Sequence, residues 1–96
     1  MSQLDGKLLI VVSSPGNRDT IYVGVARREG DLLCLSEASM VVRYEDVGVA
    51  GLSSQPEKAT RLRPAAKHVW VPLASVAAIV EAVPEAWKGH LGVSRG

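Results

Sequence analysis

Leu8-Leu9-Ile10-Val11-Val12 and Ile21-Tyr22-Val23-Gly24-Val25-Ala26 decide how this chain folds. Ser13-Ser14-Pro15-Gly16-Asn17 stands between them, and Arg27-Arg28-Glu29-Gly30-Asp31 leads on to a third run, Leu32-Leu33-Cys34-Leu35. Short β-prone runs divided by turn chemistry read as an antiparallel meander. Pro15 presets φ while Gly16 and Asn17 accept positive φ, and Gly30 suits the left-handed position of a hairpin turn. The apolar residues of Leu8 to Ser13 are consecutive rather than alternating, so both faces of that strand should be covered, one by the core and one by a neighbour. In the second run Ile21, Val23 and Val25 share one face, and Gly24 marks a bend or a close backbone approach.

The rest of the chain extends the same pattern. Leu32–Ser36 and Met40–Tyr44 read as two strands separated at Glu37-Ala38-Ser39, or as one long bent strand with a bulge there of the kind that turns a barrel corner. Glu45–Leu52 reads as a helical turn or a loop, and Ser53–Glu57 as a loop. Lys58–His68 is basic, accessible and interrupted by Pro64. Val69-Trp70-Val71-Pro72 is a strand that Pro72 ends or places at an edge. The apolar stretch 76–83 fits a strand or an Ala-rich helix; a strand is expected over Ala78–Glu81, entered by a tight turn at Leu73-Ala74-Ser75. Pro84, with Glu85 behind it, opens a short terminal helix that Gly89 ends, with Trp87 packing back on the sheet. Residues 1–7 are a polar leader, 8–90 one β-rich domain, and 91–96 a flexible tail. The expected fold is mainly β, a small barrel or curled antiparallel sheet with a short C-terminal helix.

Composition narrows the function classes. With 96 residues the chain makes one domain with a thin core. It has no Phe, so Val, Leu, Ile and Ala must build that core; compact aliphatic groups suit a tight barrel interior or a contact between protomers. Eleven Lys and Arg against ten Asp and Glu argue against a dedicated polyanion binder at the level of the whole chain. One cysteine excludes an internal disulfide and a thiolate metal pair. No secretory leader or run of about 20 apolar residues is present, which points to a soluble cytoplasmic protein without a membrane partner.

Two resemblances sit on these residues. The order apolar strand, turn, Tyr22-Val23-Gly24-Val25, then Gly30-Asp31-Leu32-Leu33-Cys34-Leu35, then Val69-Trp70-Val71-Pro72 running on to Val76-Ala77-Ala78-Ile79 resembles that of Sm-like small β-barrels. It covers about half the chain. It departs from that family over Tyr44 to Lys67 and lacks the family's uracil-binding signature, so no RNA-binding residue carries over. The stretch Tyr22 to Trp87 is also similar to a group of small uncharacterised phage and prophage proteins. Its matching features are Tyr22-Val23-Gly24, Arg27-Arg28-Glu29-Gly30, Leu33 to Ala38, Val42-Arg43-Tyr44, Gly48 to Leu52 and Val69 to Glu81. That resemblance implies a phage or mobile-element origin and no particular activity.

Candidate sites follow from charge. Lys58, Arg61, Arg63 and Lys67 are four cations within ten residues, with no acid until Glu81, and Trp70 stands just beyond. Such a segment neutralises phosphates of a nucleic acid or nucleotide, or is simply a solvated loop. Tyr22, Tyr44 and Trp70 with Arg43 would suit a nucleotide base if they lined one pocket, although aromatic core positions are the commoner outcome. From Glu29 to Glu57 there are six acids and one base, Arg43, so an acidic segment precedes the basic one. That asymmetry suits head-to-tail contact between copies, closing into a ring or running on as a filament, with charge setting the register. Cys34 between two leucines reads as a buried thiol. His68 and His90 lack a helical-spacing partner and read as surface residues. Ser13 to Arg18 lacks the Gly-Lys-Ser/Thr ending of a phosphate loop and reads as a turn.

The leading expectation is therefore a non-enzymatic, self-associating β module forming a homo-oligomer, a phage-type or shell-like assembly component. Its contact would use the Leu8, Ile10 and Val12 edge together with Arg61 and Arg63. The alternative is a nucleic-acid or nucleotide binder using Lys58, Arg61, Arg63, Lys67 and Trp70. No metal or cofactor is expected.

Overall fold

The strand order follows from where the turns fall. The computed structural model describes residues 3–16 and 18–96. Six strands make one antiparallel sheet: β1 (Leu8–Ser13), β2 (Thr20–Glu29), β3 (Leu32–Arg43), β4 (Arg61–Pro64), β5 (His68–Pro72) and β6 (Val76–Glu81). A one-turn helix, α1 (Pro84–Trp87), follows. The order is β4-β3-β2-β1-β6, with β5 beside β4 on the same edge of β3. The sheet curls without closing, so the curled-sheet reading holds and the closed barrel does not. Gly30 takes φ of 58° in the β2–β3 hairpin, and Gly16 takes 76° before β2; Asn17 of that expected turn lies outside the described residues. The stretch from Val76 resolves as strand, entered by a 3-10 turn at Leu73–Ser75.

β3 is one long strand of 12 residues carrying a bulge, the bent-strand alternative for the break at Glu37-Ala38-Ser39. Val23 faces Ser39 while Val25 faces Ser36, so Glu37 and Ala38 together oppose Gly24, and Glu37 takes φ of 52°. A β-carbon at Gly24 would lie 3.0 Å from the Ser36 carbonyl oxygen and 3.1 Å from Leu35 Cβ. The glycine therefore admits the close backbone approach that the bulge creates. Opposite the bulge, Ala65-Ala66-Lys67 interrupts β4 and β5. The Glu37 amide donates to the Lys67 carbonyl (2.7 Å), and the Ala38 amide to that of Ala66 (3.0 Å). Thus β4 and β5 are two halves of one bent strand. Much of the Lys58–His68 segment, read from sequence as a loop, is built into the sheet.

Both faces of β1 are buried, and the chain itself does the burying. Leu8, Ile10 and Val12 join Ile21, Val23, Val41 and Leu62 in a core that the loop carrying Leu52 and Ala59, together with Trp87, covers. Leu9 and Val11 join Ala26, Leu33, Leu35 and Val71 in a second core that the curl encloses, with Leu73 and Val76 packed against it. Each alternate side of the pleat thus has its own core. Trp87 is fully buried, and its indole N–H donates to the Leu52 carbonyl at 3.0 Å.

Two expectations need correction, the free β1 edge and the loose tail. β1 pairs with β2 on one side and β6 on the other, so it has no free edge. Leu8, Ile10 and Val12, at 7%, 0% and 7% exposure, cannot meet another copy. The described part of the leader continues the β1–β2 ladder: the Gly6 amide donates to Ala26 and the Ala26 amide to Lys7, while Asp5 accepts the Arg28 amide. The tail is docked rather than loose. Arg95 forms an antiparallel bridge with Leu62, and the Gly92 amide donates to Ser39 Oγ at 3.1 Å.

Candidate functional site

An antiparallel ladder alternates residues that turn their backbone groups toward a neighbouring strand with residues that turn them away. That alternation decides which edges of this sheet are open. The Ala82 amide donates to the Leu8 carbonyl (2.9 Å), in register with the pairs Leu9–Glu81 and Ile10–Val80. Val80 accordingly faces β1, while Ile79 and Glu81 direct their amides and carbonyls outward. The Glu81 carbonyl is taken by Ser53 Oγ at 2.6 Å. Ile79 has no neighbouring strand, because β6 pairs with β1 alone. On β5 the Glu37–Lys67 bond sets Val69 and Val71 toward β3. His68 and Trp70 therefore point their backbone groups outward, and Pro72 offers no donor.

β4 differs. Its outward residue Leu62 exchanges both backbone bonds with Arg95, at 2.9 and 2.8 Å, and Pro64 has no N–H to offer. The Arg95 guanidinium fastens this closure. Its Nη2 donates to the Pro56 carbonyl (2.8 Å), its Nε to that of Ala59 (3.0 Å) and its Nη1 to His90 Nδ1 (2.9 Å). Guanidinium nitrogens only donate, so His90 Nδ1 must be the acceptor. His90 is therefore a half-buried partner of the tail and not the plain surface residue expected.

The structure separates the expected phosphate-binding residues. Arg63 stands opposite Met40, which stands opposite Tyr22, on the side of the sheet that faces the curl. Trp70 stands opposite Cys34, on the other side from Val69 and Val71. Arg61 and Arg63 thus lie on one face and Trp70 on the other. Lys58 is drawn to Asp46 at 3.8 Å, and Lys67 shares an open hollow with Glu37. The aromatic pocket does not form: Tyr22 packs on the enclosed core, Tyr44 on the covered core, and Trp70 stays 46% exposed. The acids of Glu29 to Glu57 are spread over the hairpin tip, the bulge and the covering loop, and three of them face cations of their own chain.

Cys34 is fully buried, as expected, with Sγ 3.9 Å from His68 Nδ1, which also lies 3.4 Å from Ser36 Oγ. Cross-strand register brings this histidine near, which sequence distance concealed. The Ser14 hydroxyl donates to the Asp19 carboxylate. Among the described residues no three His, Cys, Asp or Glu side chains group to hold a metal, and no helix is long and apolar enough to cross a membrane. No protein-family model matches the chain, nor does any curated protein or solved structure.

Proposed function

We propose that this chain is a non-enzymatic module that assembles with copies of itself by strand addition, the β5 edge of one copy pairing with the β6 edge of the next. The observation that carries the reading is the contrast among its edges. Exposed, uncharged edges are templates for pairing, and proteins guard the ones they keep solitary with charge, proline or a covering segment. β4 has all three in Arg61 and Arg63, Pro64 and the docked Arg95 segment. β6 offers Ala77, Ala78 and Ile79, all exposed, with no covering strand. β5 offers Trp70, with exposed Leu32 near it across the ladder.

Head-to-tail contact fits this pair of edges better than a two-fold one. A β6–β6 pairing would leave Trp70 and its backbone groups open on both copies. Pairing β5 with β6 uses each open edge once, and a ring made this way ends with neither exposed. The contact moves away from β1 and from Arg61 and Arg63, where sequence reasoning put it. The exposed part of Trp70 alone, taken as nearly half of a ring worth 150–250 Å², is worth about 2–3 kcal/mol when covered.

Light scattering at micromolar concentration tests the reading, with a particle of several chains expected. Ile79→Pro removes an amide that points outward, where the monomer does not use it and an edge strand tolerates proline. It should give folded single chains by circular dichroism, and Trp70→Pro should do the same from the other edge. An unmodified chain that stays single at about 100 µM overturns the proposal, as does an assembly whose size neither substitution changes.

A further inference from the structure

Arg43 and Arg61 are direct cross-strand partners. Like charges in that relation repel, so the sheet carries them at a disadvantage unless an anion lies between. Arg63 follows two positions along β4, about 7 Å further on the same side. Among the described residues the one acidic side chain paired with any of the three is Glu45, 3.8 Å from Arg43 Nε; Arg61 and Arg63 have no acidic side-chain partner. Two adjoining hollows run beside them. One, of about 300 Å³, is lined by Arg43, Glu45, Thr60, Arg61 and Gly96, and the other, of about 460 Å³, by Leu62, Arg63, Ser94, Arg95 and Gly96. Arg95 adds no free donor fork, since its guanidinium is held by Pro56, Ala59 and His90.

We infer that this face of β4 is a binding strip for the phosphate backbone of single-stranded nucleic acid. Guanidinium forks match phosphate oxygens, and these three, Arg43 and Arg61 side by side across the ladder with Arg63 one pleat further along β4, offer donors to successive phosphates of a strand. No aromatic ring is fully exposed on this face. Tyr22 is half-buried against the core and Trp70 points to the far side, so no open ring stands beside the strip for a base to stack on. The strip therefore grips phosphates and ignores bases. It is separate from the β5 and β6 edges proposed for assembly and does not depend on them.

The test is fluorescence anisotropy with labelled 12-nucleotide oligo(dT) and an abasic oligomer of the same length, at 50 and 200 mM salt. Three phosphate contacts predict a log–log salt slope near −2, about twenty-fold weaker binding across that range, and equal affinity for both oligomers. Arg61→Gln with Arg63→Gln should weaken binding and bring the slope to about −0.7, while Lys58→Gln should change neither, because Lys58 lines neither hollow. These are exposed side chains, so circular dichroism should show all variants folded. No binding at 50 mM salt, a slope unchanged by the double substitution, or an abasic oligomer bound more than about three-fold weaker each overturns the strip. Repeating the titration with Ile79→Pro separates the two proposals: the salt slope per chain persists whether or not assembly does.

Discussion

Trp87→Ala is the substitution that most directly tests how the covering layer is held. The ring is fully buried among residues of the covered core, and its N–H bonds to the Leu52 carbonyl at 3.0 Å and the Ser53 carbonyl at 3.2 Å. Truncating such a ring removes its transfer free energy and leaves a cavity, a loss of about 3–5 kcal/mol. A domain of this size has about 5–15 kcal/mol in total, so the loss is a large fraction of the whole. At about 4–8 °C per kcal/mol, its melting temperature should fall by at least about 12 °C. Trp87→Phe divides the effect: the ring face stays, the donor goes, and the Leu52 carbonyl is left without its partner, for about 1–2 kcal/mol. Trp70→Ala is the contrast. Its ring is nearly half exposed and closes no core, so the change should lie within about 0.5 kcal/mol. Urea unfolding of all three, in an Ile79→Pro background so that mass action of assembly does not enter, provides the measurement. A loss below about 1 kcal/mol for Trp87→Ala, or equal losses for the two tryptophans, would refute the account of the covered core.

Three further outcomes follow from the same geometry. Arg95→Ala removes donors to the Pro56 and Ala59 carbonyls and should destabilise by about 1–3 kcal/mol; amide exchange at Leu62 should rise with it, since the bridge that protects that amide loses its fastening. Gly24→Val forces atoms into space already occupied at 3.0–3.1 Å by Ser36 and Leu35, and the resulting overpacking should cost about 1–3 kcal/mol in a thermal melt. Gly30→Ala places a β-carbon at φ of 58° where nothing crowds it, so only the backbone penalty of about 1 kcal/mol should appear in urea unfolding.

Much of the sheet was legible because local chemistry and final structure agree. The Pro-Gly and Glu-Gly-Asp turns cut the chain where strands end, and consecutive apolar residues in Leu8–Val12 marked a strand covered on both sides. What the sequence could not convey was who does the covering. A run buried by its own chain and a run waiting for another copy have the same composition, and the difference lies in the pairing of residues about 70 positions apart, Leu9 with Glu81. The basic cluster failed for a related reason. Lys58, Arg61, Arg63, Lys67 and Trp70 are close along the chain, but strand pleating sends Trp70 to the opposite face from Arg61 and Arg63, and the interruption at Ala65-Ala66-Lys67 sets Lys67 apart. Arg43, which completes the strip, is 18 positions from Arg61 and meets it only through the β3–β4 register. Arg95 gave no local signal, because an isolated arginine in a Gly- and Ser-containing tail looks like solvent-facing chain until its acceptors at Pro56 and Ala59 come together.

The two proposed surfaces divide the labour of the sheet in a way that their energetics permit. β4 is loaded with like charge and closed to strand pairing by the Arg95 bridge, so a neighbouring copy gains nothing there and an anion does. β5 and β6 carry little charge along their open edges, so an anion gains nothing there and a strand does. Because the residues of one surface share no partners with those of the other, changes at the two should add in free energy rather than couple. Assembly would still strengthen a long polyanion's hold, since tethered strips raise one another's effective concentration without any new contact. That sets a sharp expectation for the intact particle. A 12-nucleotide strand should bind the unmodified protein and Ile79→Pro with similar affinity per chain, whereas a strand several times longer should favour the unmodified protein by an order of magnitude or more. Equal preference at both lengths would mean that the copies do not present their strips to one strand, and a difference already present at 12 nucleotides would mean that the edges and the strip are not independent.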